Sequence, residues 1–166
     1  MMNQRKAREK LVDHLQNAHA MEANIVVMLG SMILSTPDRK IVRLLRQHVD
    51  ETRAQMGRLT ERLAALGAGP SLRKEATLMA GTALKGVTDQ LRGDKPIQNA
   101  RDAYMTEAME IATYQLLERA ALAAGDSESA DVARLNRQEE EEMARAIEAS
   151  WDRFVALSLI QEGVAA

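Results

Sequence analysis

Apolar residues recur at three- and four-residue spacing along most of the chain, which is the period of a helix with one buried face. Four long segments carry this pattern, at about 6–34, 39–66, 97–124 and 128–160. A weaker helical pattern occupies 71–91, and Pro or Gly residues separate the segments. The pattern predicts an all-α fold: an antiparallel four-helix bundle with a long helical crossover between its second and third helices.

The length and composition favour one helical domain. The chain has 166 residues with only three prolines and nine glycines, and Ala, Leu, Arg, Glu and Met are frequent, as in helices. A chain of this length can bury a substantial core. We therefore predict a single domain over 1–166, with its core at about 8–160 and the crossover helix at about 71–91.

Charge, cysteine content and hydropathy restrict the function. The formal net charge of −2 gives no support for nucleic-acid binding. The sequence has no cysteine, so any metal must bind oxygen and nitrogen ligands. The polar N-terminus does not resemble a signal peptide, and no stretch is expected to span a membrane. These features predict a soluble, cytoplasmic protein.

A carboxylate recurs once in each long helix, on the face that should be apolar. Each of these glutamates has a His or Glu three residues before it, giving the pairs His19–Glu22, His48–Glu51, Glu107–Glu110 and Glu139–Glu142. Residues three apart share a helix face, so each helix can direct two ligand-capable groups to one place. A charged group facing a core is costly unless it is paired or binds a metal. The four pairs therefore predict a metal site.

The second half of the chain repeats the first in the same places. The segment 21–23 recurs as 109–111, and 41–47 recurs as 132–138. The repeat matches candidate ligands with each other: Glu22 with Glu110, His19 with Glu107, Glu51 with Glu142, and His48 with Glu139. This alignment selects Glu142 from a run of four adjacent glutamates, any of which could face the core.

The same residues can also be explained by ion pairs or core packing without a metal. Glu22 or Glu51 could form a buried ion pair with an arginine such as Arg53 or Arg137, although such pairs stabilise poorly. The two candidate histidines could pair with neighbouring glutamates instead of binding a metal. Tyr114, one turn beyond Glu110, could be a packed core residue or a hydrogen-bond donor to a ligating carboxylate.

Two motifs resemble a known family. Residues 48–52, HVDET, followed by Gln55 and Leu59, resemble the second helix of the YciE/YciF-type (DUF892) stress-response family of the ferritin-like superfamily. Residues 107–114, EAMEIATY, resemble the third helix of that family, and the fourth helix matches more loosely through Glu141 and Glu142. The resemblance extends over about 8–155.

The resemblance implies a carboxylate-bridged dinuclear site for two divalent metal ions, iron or alternatively manganese. By position, the implied metal-binding residues are Glu22, Glu51, Glu110 and Glu142, with His48, Glu107 and Glu139 as additional or supporting groups. His19, Tyr114 and Gln55 are further supporting groups or ligands. The implied function is metal handling or oxidative and general stress response, with oxygen or peroxide as a small oxidant.

The residues at two positions support a second hypothesis for the function. Ala54 and Arg145 occupy the positions at which ferritins and rubrerythrins carry His, three residues after the glutamates of the second and fourth helices. The alternative is therefore a non-enzymatic, stress-related dimeric bundle with an empty or structural site. In either case a homodimer is expected, with the helix at 71–91 and the apolar tail at 155–160 as interface surfaces.

Overall fold

The computed structural model describes the backbone of residues 4–89 and 94–164, and their side chains except those of 81–89. Six helices follow in order: α1 Gln4–Ser35, α2 Arg39–Ala65, α3 Leu72–Asp89, α4 Lys95–Ala124, α5 Ser127–Glu148 and α6 Trp151–Gln161. No strand occurs in these described ranges, so the all-α prediction is confirmed. The predicted end of the crossover helix at residue 91 lies outside the described residues.

Helices α1, α2, α4 and α5 form the bundle. Helix α1 packs against α2 and α4, and α5 packs against α4 and α2, while the crossover helix α3 packs on α1. Short connections make α1–α2 and α4–α5 antiparallel pairs. Gly67 and Gly125, with φ of 68° and 77°, follow α2 and α4 in the left-handed conformation that commonly ends helices. The predicted ferritin-like bundle with a helical crossover is confirmed.

The core is aliphatic in both halves of the bundle. Its fully buried side chains include Leu11, Leu15, Ile25 and Leu29 of α1, Leu59 and Leu63 of α2, Leu117 of α4 and Ile147 of α5. These residues come from the apolar stripes of the sequence, and the burial of such stripes is what stabilises a bundle of this kind. Each bundle helix also carries at least one ionisable side chain within its buried stripe.

The predicted final helix at 128–160 is two helices in the structure. Helix α5 ends at Glu148 and α6 begins at Trp151. The Ser150 hydroxyl between them donates to the Ala146 carbonyl, a bond that often accompanies a bend in a helix. The bend lets α6 pack on α4 and bury Phe154. The apolar spacing runs through this break, so the sequence pattern did not reveal it.

The prediction that no segment could span a membrane needs a correction for helix α1. By length and composition alone, α1 is long and apolar enough to do so. Half of its most apolar stretch is buried inside the bundle, and the helix carries the buried polar residues His19 and Glu22. These features are those of a core helix, whose apolar side chains are covered by other helices.

Candidate metal centre

Five ionisable side chains meet in the middle of the bundle. They are Glu22 of α1, His48 of α2, Glu107 and Glu110 of α4, and Glu140 of α5. Each is at most 2% exposed. Each lies in the buried stripe of its helix, so packing the apolar neighbours against the other helices also carries the polar group inward. The bundle therefore concentrates four carboxyl groups and one imidazole at its centre.

The spacing of these groups suits a metal ion. His48 Nε2 lies 3.3 Å from Glu107 Oε1 and 3.9 Å from Glu140 Oε2. One ligand atom from each of His48, Glu107, Glu110 and Glu140 lies within 4.8 Å of the others. Ligands held at about 2.0–2.2 Å from one cation are themselves separated by roughly 3–4 Å. Small side-chain rotations would therefore bring these four groups onto one cation.

Most carboxyl oxygens at the centre accept no hydrogen bond from an amide, a hydroxyl or a cationic group, and they face one another: Glu22 faces Glu110, and Glu140 faces Glu107. The oxygens without such a donor are Glu22 Oε2, Glu107 Oε2, both carboxyl oxygens of Glu110 and Glu140 Oε2. Both His48 nitrogens also lack an aligned partner, although carboxylates lie within ion-pair distance of them. Buried polar atoms are normally hydrogen-bonded, and groups of unsatisfied acceptors are rare. A converging set of buried oxygen and nitrogen donors fits a hard or borderline cation.

The predicted alternative of buried ion pairs with arginine is not what the structure shows. Arg53 pairs with Asp50, and Arg137 pairs with Glu118 and Glu141. Among the described ion pairs, the only positively charged candidate for the four central carboxyls is His48. The negative charge at the centre is therefore left without an arginine or lysine counter-charge in this part of the chain.

Burial and mutual repulsion keep protons on the central carboxyls. Burial raises the pKa of Glu22 to about 7, in spite of the hydrogen bond from Tyr114. Burial, followed by the charges of Glu22 and Glu107, raises the pKa of Glu140 to about 10. Burial together with the charge of Glu22 also raises the pKa of Glu110 well above its usual range. A bound cation would favour the ionised forms of all three.

The imidazole of His48 experiences two opposing effects. Burial lowers its pKa, but the adjacent Glu107 and the nearby charges of Glu51 and Glu22 raise it, and the net shift is upward. The imidazole is therefore held in a place that attracts positive charge. Such a place accommodates either a proton on the ring or a cation next to it.

Two neutral side chains orient the carboxyls. Tyr114 is fully buried in the core, and its hydroxyl donates to Glu22 Oε1. Gln55 is also fully buried, and its Nε2 donates to Glu140 Oε1 and, at 3.0 Å, to Glu139 Oε2. Tyr114 thus meets both descriptions that the sequence left open, a packed core residue and a donor to a carboxyl group.

Removal of the Tyr114 hydroxyl should destabilise the protein most where Glu22 is ionised. We expect Tyr114→Phe to cost about 1–3 kcal/mol, because Glu22 Oε1 loses its donor inside the core. The cost should be larger near pH 9 than near pH 5, since the pKa of Glu22 is about 7. Urea unfolding at both pH values measures this. Tyr104→Phe is the control, because Tyr104 packs against Trp151 instead. An equal loss of stability in Tyr114→Phe at both pH values would contradict the prediction.

The buried face of α5 differs from the predicted one. Glu142 is exposed, so the prediction that it faces the core is wrong, and Glu140 occupies the buried position. The buried stripe of this helix is Ala133, Asn136, Glu140, Met143 and Ile147. The apolar members Ala133, Met143 and Ile147 were the available signal, because a helix face that contains them also contains position 140 and excludes position 142. A shift of one residue in the internal repeat aligns His48 with Glu140.

Two other predicted residues lie at the rim of the cluster. The Glu51 side chain is 32% exposed, with Oε2 3.6 Å from His48 Nδ1. The Glu139 side chain is 26% exposed and pairs with Arg58. Neither belongs to the buried group of ligand atoms described above.

His19 and Arg145 also lie apart from the cluster. His19 is buried, but its Nδ1 lies 3.0 Å from Glu75 Oε1 of α3, so its charged neighbour is on the crossover helix. Arg145 is exposed and does not add positive charge to the centre. The structure therefore gathers Glu22, His48, Glu107 and Glu110 of the predicted residues, and adds Glu140.

Known proteins share this fold. A protein from Xanthomonas campestris pv. campestris is 26% identical, with a TM-score of 0.78, covering 95% of this chain and 99% of that one. YcfI from Rhodopseudomonas palustris is 22% identical, with a TM-score of 0.74 and coverage of 89% and 94%. The E. coli stress protein YciF is 18% identical, with a TM-score of 0.78 and coverage of 93% and 98%.

The sequence profile of one family matches almost the whole chain. This family is described as "Domain of unknown function (DUF892)", and the match runs over residues 6–159. The match includes every residue of the buried cluster and all of the helices that supply it except the first two residues of α1. The chain therefore belongs to the DUF892 family, the YciE/YciF-type family that its helix motifs resemble.

Proposed function

We propose that this protein is a ferritin-like, carboxylate-bridged dinuclear metal protein that binds iron, or alternatively manganese, and acts in metal handling or in oxidative and general stress response. One observation carries the proposal: buried carboxyl and imidazole groups converge at one place, and most of their carboxyl oxygens have no donor other than a neighbouring carboxyl group. Carboxylate and imidazole ligands are those that iron and manganese use in proteins without thiolates.

The described contacts suggest a role for each residue. Glu22, His48, Glu107, Glu110 and Glu140 would hold the ions, because each is buried and has an unsatisfied ligand atom at the centre. Tyr114 fixes one oxygen of Glu22, and Gln55 fixes one oxygen of Glu140, so that the other oxygen of each carboxyl remains free. When bound, a pair of iron or manganese ions supplies electrons for the reduction of oxygen or peroxide.

The protein itself contributes proton handling and exclusion of water. Glu22, Glu110 and Glu140 have raised pKa values, first because they are buried, so they hold protons that must leave when cations bind. The near-complete burial of the cluster keeps bulk water from the ligands. Both properties suit a site that holds hard cations and allows only small oxidants to reach them.

Metal analysis tests the proposal. Protein purified without chelator, and protein reconstituted anaerobically with Fe(II) or Mn(II), is desalted and its metal content measured. We expect close to two ions per chain in the wild type, and a large loss in the double variant with Glu22→Gln and Glu110→Gln. Glu142→Gln is the matched control, because it removes an exposed carboxylate from the same bundle.

The outcomes separate the two hypotheses. A wild-type protein that binds neither Fe(II) nor Mn(II) after reconstitution contradicts the proposal. A double variant that is folded by circular dichroism and retains the wild-type metal content contradicts the assignment of the site. Bound metal that consumes neither oxygen nor peroxide supports the alternative of a non-enzymatic bundle with a structural metal.

The expected homodimer and cytoplasmic location remain predictions. Both surfaces predicted for the dimer expose large apolar side chains, which supports association. These side chains are Leu72, Leu78 and Met79 on the described part of α3, and Val155, Leu159 and Ile160 on α6.

A further inference from the structure

The metal-binding groups proposed above are sealed from solvent, so a cation needs a route to reach them. All five are at most 2% exposed. Two carboxylates lie at the rim of the cluster, each adjacent to a cluster residue and each partly exposed. Glu51 of α2 is 32% exposed, and Glu139 of α5 is 26% exposed. They differ in what surrounds their charge.

Among the described ion pairs, the negative charge of Glu51 is paired only with the imidazole of His48, and no arginine or lysine neutralises it. Glu51 Oε1 accepts a hydrogen bond of 2.8 Å from the neutral amide of Gln47. Its Oε2 lies 3.6 Å from Nδ1 of His48, whose Nε2 lies 3.3 Å from Glu107 Oε1. The imidazole is therefore placed between a solvent-exposed carboxylate and the buried cluster. Both of its nitrogens lack an aligned hydrogen-bond partner although the ring is only 1% exposed.

At the other rim position, the negative charge of Glu139 is neutralised and its side chain is held by hydrogen bonds. The Arg58 guanidinium donates from Nη2 to Glu139 Oε2, and from Nε to Asn136 Oδ1 at 2.8 Å. Gln55 donates to the same Glu139 oxygen at 3.0 Å. A guanidinium keeps its positive charge at every physiological pH. The Arg58 guanidinium therefore neutralises the Glu139 carboxylate and repels an approaching cation.

We propose that divalent cations reach the buried cluster past Glu51 and His48, and that Arg58 closes the rim at Glu139 to them. In this role Glu51 captures the cation at the surface and His48 passes it to Glu107. Glu51 then sets the rate of loading, while the buried groups set the number of ions bound. The proposal rests on the metal-binding function proposed above and names the path to that site.

The rate of Co(II) binding tests the route. Co(II) alone is mixed with metal-free protein in a stopped-flow instrument, and its absorbance follows occupation of the site. We expect Glu51→Gln to lower the second-order loading rate about tenfold and to weaken its dependence on ionic strength, because one steering charge is lost. The number of ions bound at the end should equal that of the wild type. Glu139→Gln should load within about twofold of the wild-type rate.

Each result bears on the route or on the site. A wild-type loading rate in Glu51→Gln, or equal slowing in Glu139→Gln, overturns the route while the metal site stands. A lower final number of ions in Glu51→Gln overturns it too, because Glu51 would then be a ligand at equilibrium. If the wild type binds no Co(II), Fe(II) or Mn(II), the proposed function fails and the route fails with it. Both substitutions are at partly exposed positions, and circular dichroism checks that the variants fold.

Discussion

The metal-free protein should lose stability as the pH rises from about 5 to about 8. Glutamates in the unfolded chain release their protons near pH 4.5, whereas in the folded protein the pKa is about 7 for Glu22 and about 10 for Glu140, chiefly because both are buried. The folded state therefore binds more protons than the unfolded state in this interval, and stability falls with pH. Each such proton contributes about 1.4 kcal/mol per pH unit. His48, whose pKa is also raised against the effect of burial, acts in the same direction.

Urea unfolding at pH 5, 6.5 and 8 in the presence of chelator measures this effect. Glu22→Gln and Glu110→Gln should each reduce the slope and increase the stability at pH 8, because neither variant has to bury a negative charge or hold a proton at that position. Glu142→Gln should retain the wild-type slope, since Glu142 is exposed. A wild-type protein with constant or increasing stability over this interval would show that the central carboxyls are not protonated in the folded state.

Saturating Mn(II) should reverse this loss of stability at pH 8. A ligand that binds only the folded state stabilises it by about 4 kcal/mol when its free concentration is about 1,000 times its Kd. The cations would also keep the central carboxyls ionised, as they are in the unfolded chain above about pH 5, so the stability of the loaded protein should no longer fall with pH over the interval in which the metal-free protein loses it.

Thermal and urea unfolding with Mn(II), compared with chelator, test this second expectation. Glu110→Gln should gain little from Mn(II), since Glu110 is one of the four buried residues whose ligand atoms lie within 4.8 Å of one another. Glu142→Gln should gain as much as the wild type. Equal stabilisation of the wild type and Glu110→Gln would place the bound Mn(II) outside the buried cluster.

The sequence predicts well those parts of the site in which a single polar residue interrupts an apolar stripe. Glu22 lies among Ala18, Ile25 and Leu29, which are all buried, so its direction follows from helical geometry. Glu110 is fixed in the same way by its buried neighbours on α4. The succession of helices and the crossover follow from the same periodicity, because the apolar stripes and the Pro and Gly breaks are both local signals.

The sequence predicts poorly where several positions satisfy the same local rule. In the run 139–142 every residue is a glutamate, so which one faces the core depends on how the helix is rotated about its axis. The internal repeat selected Glu142 instead of Glu140. The partner of His19 was also missed, because Glu75 lies on the crossover helix and is brought to α1 only by tertiary packing. The bend at Ser150 depends in the same way on how α6 packs on α4.

The distribution of the cluster along the chain determines when it can form. Its residues run from Glu22 in α1 to Glu140 in α5, so no single helix or adjacent pair of helices holds all of them. Bringing such distant residues together in an unfolded chain is opposed by loop-closure entropy. During synthesis from the N-terminus, the complete site cannot exist until α5 has left the ribosome and docked. The complete set of ligand-capable groups is therefore available only in a finished bundle, and it lasts only as long as all four helices stay packed.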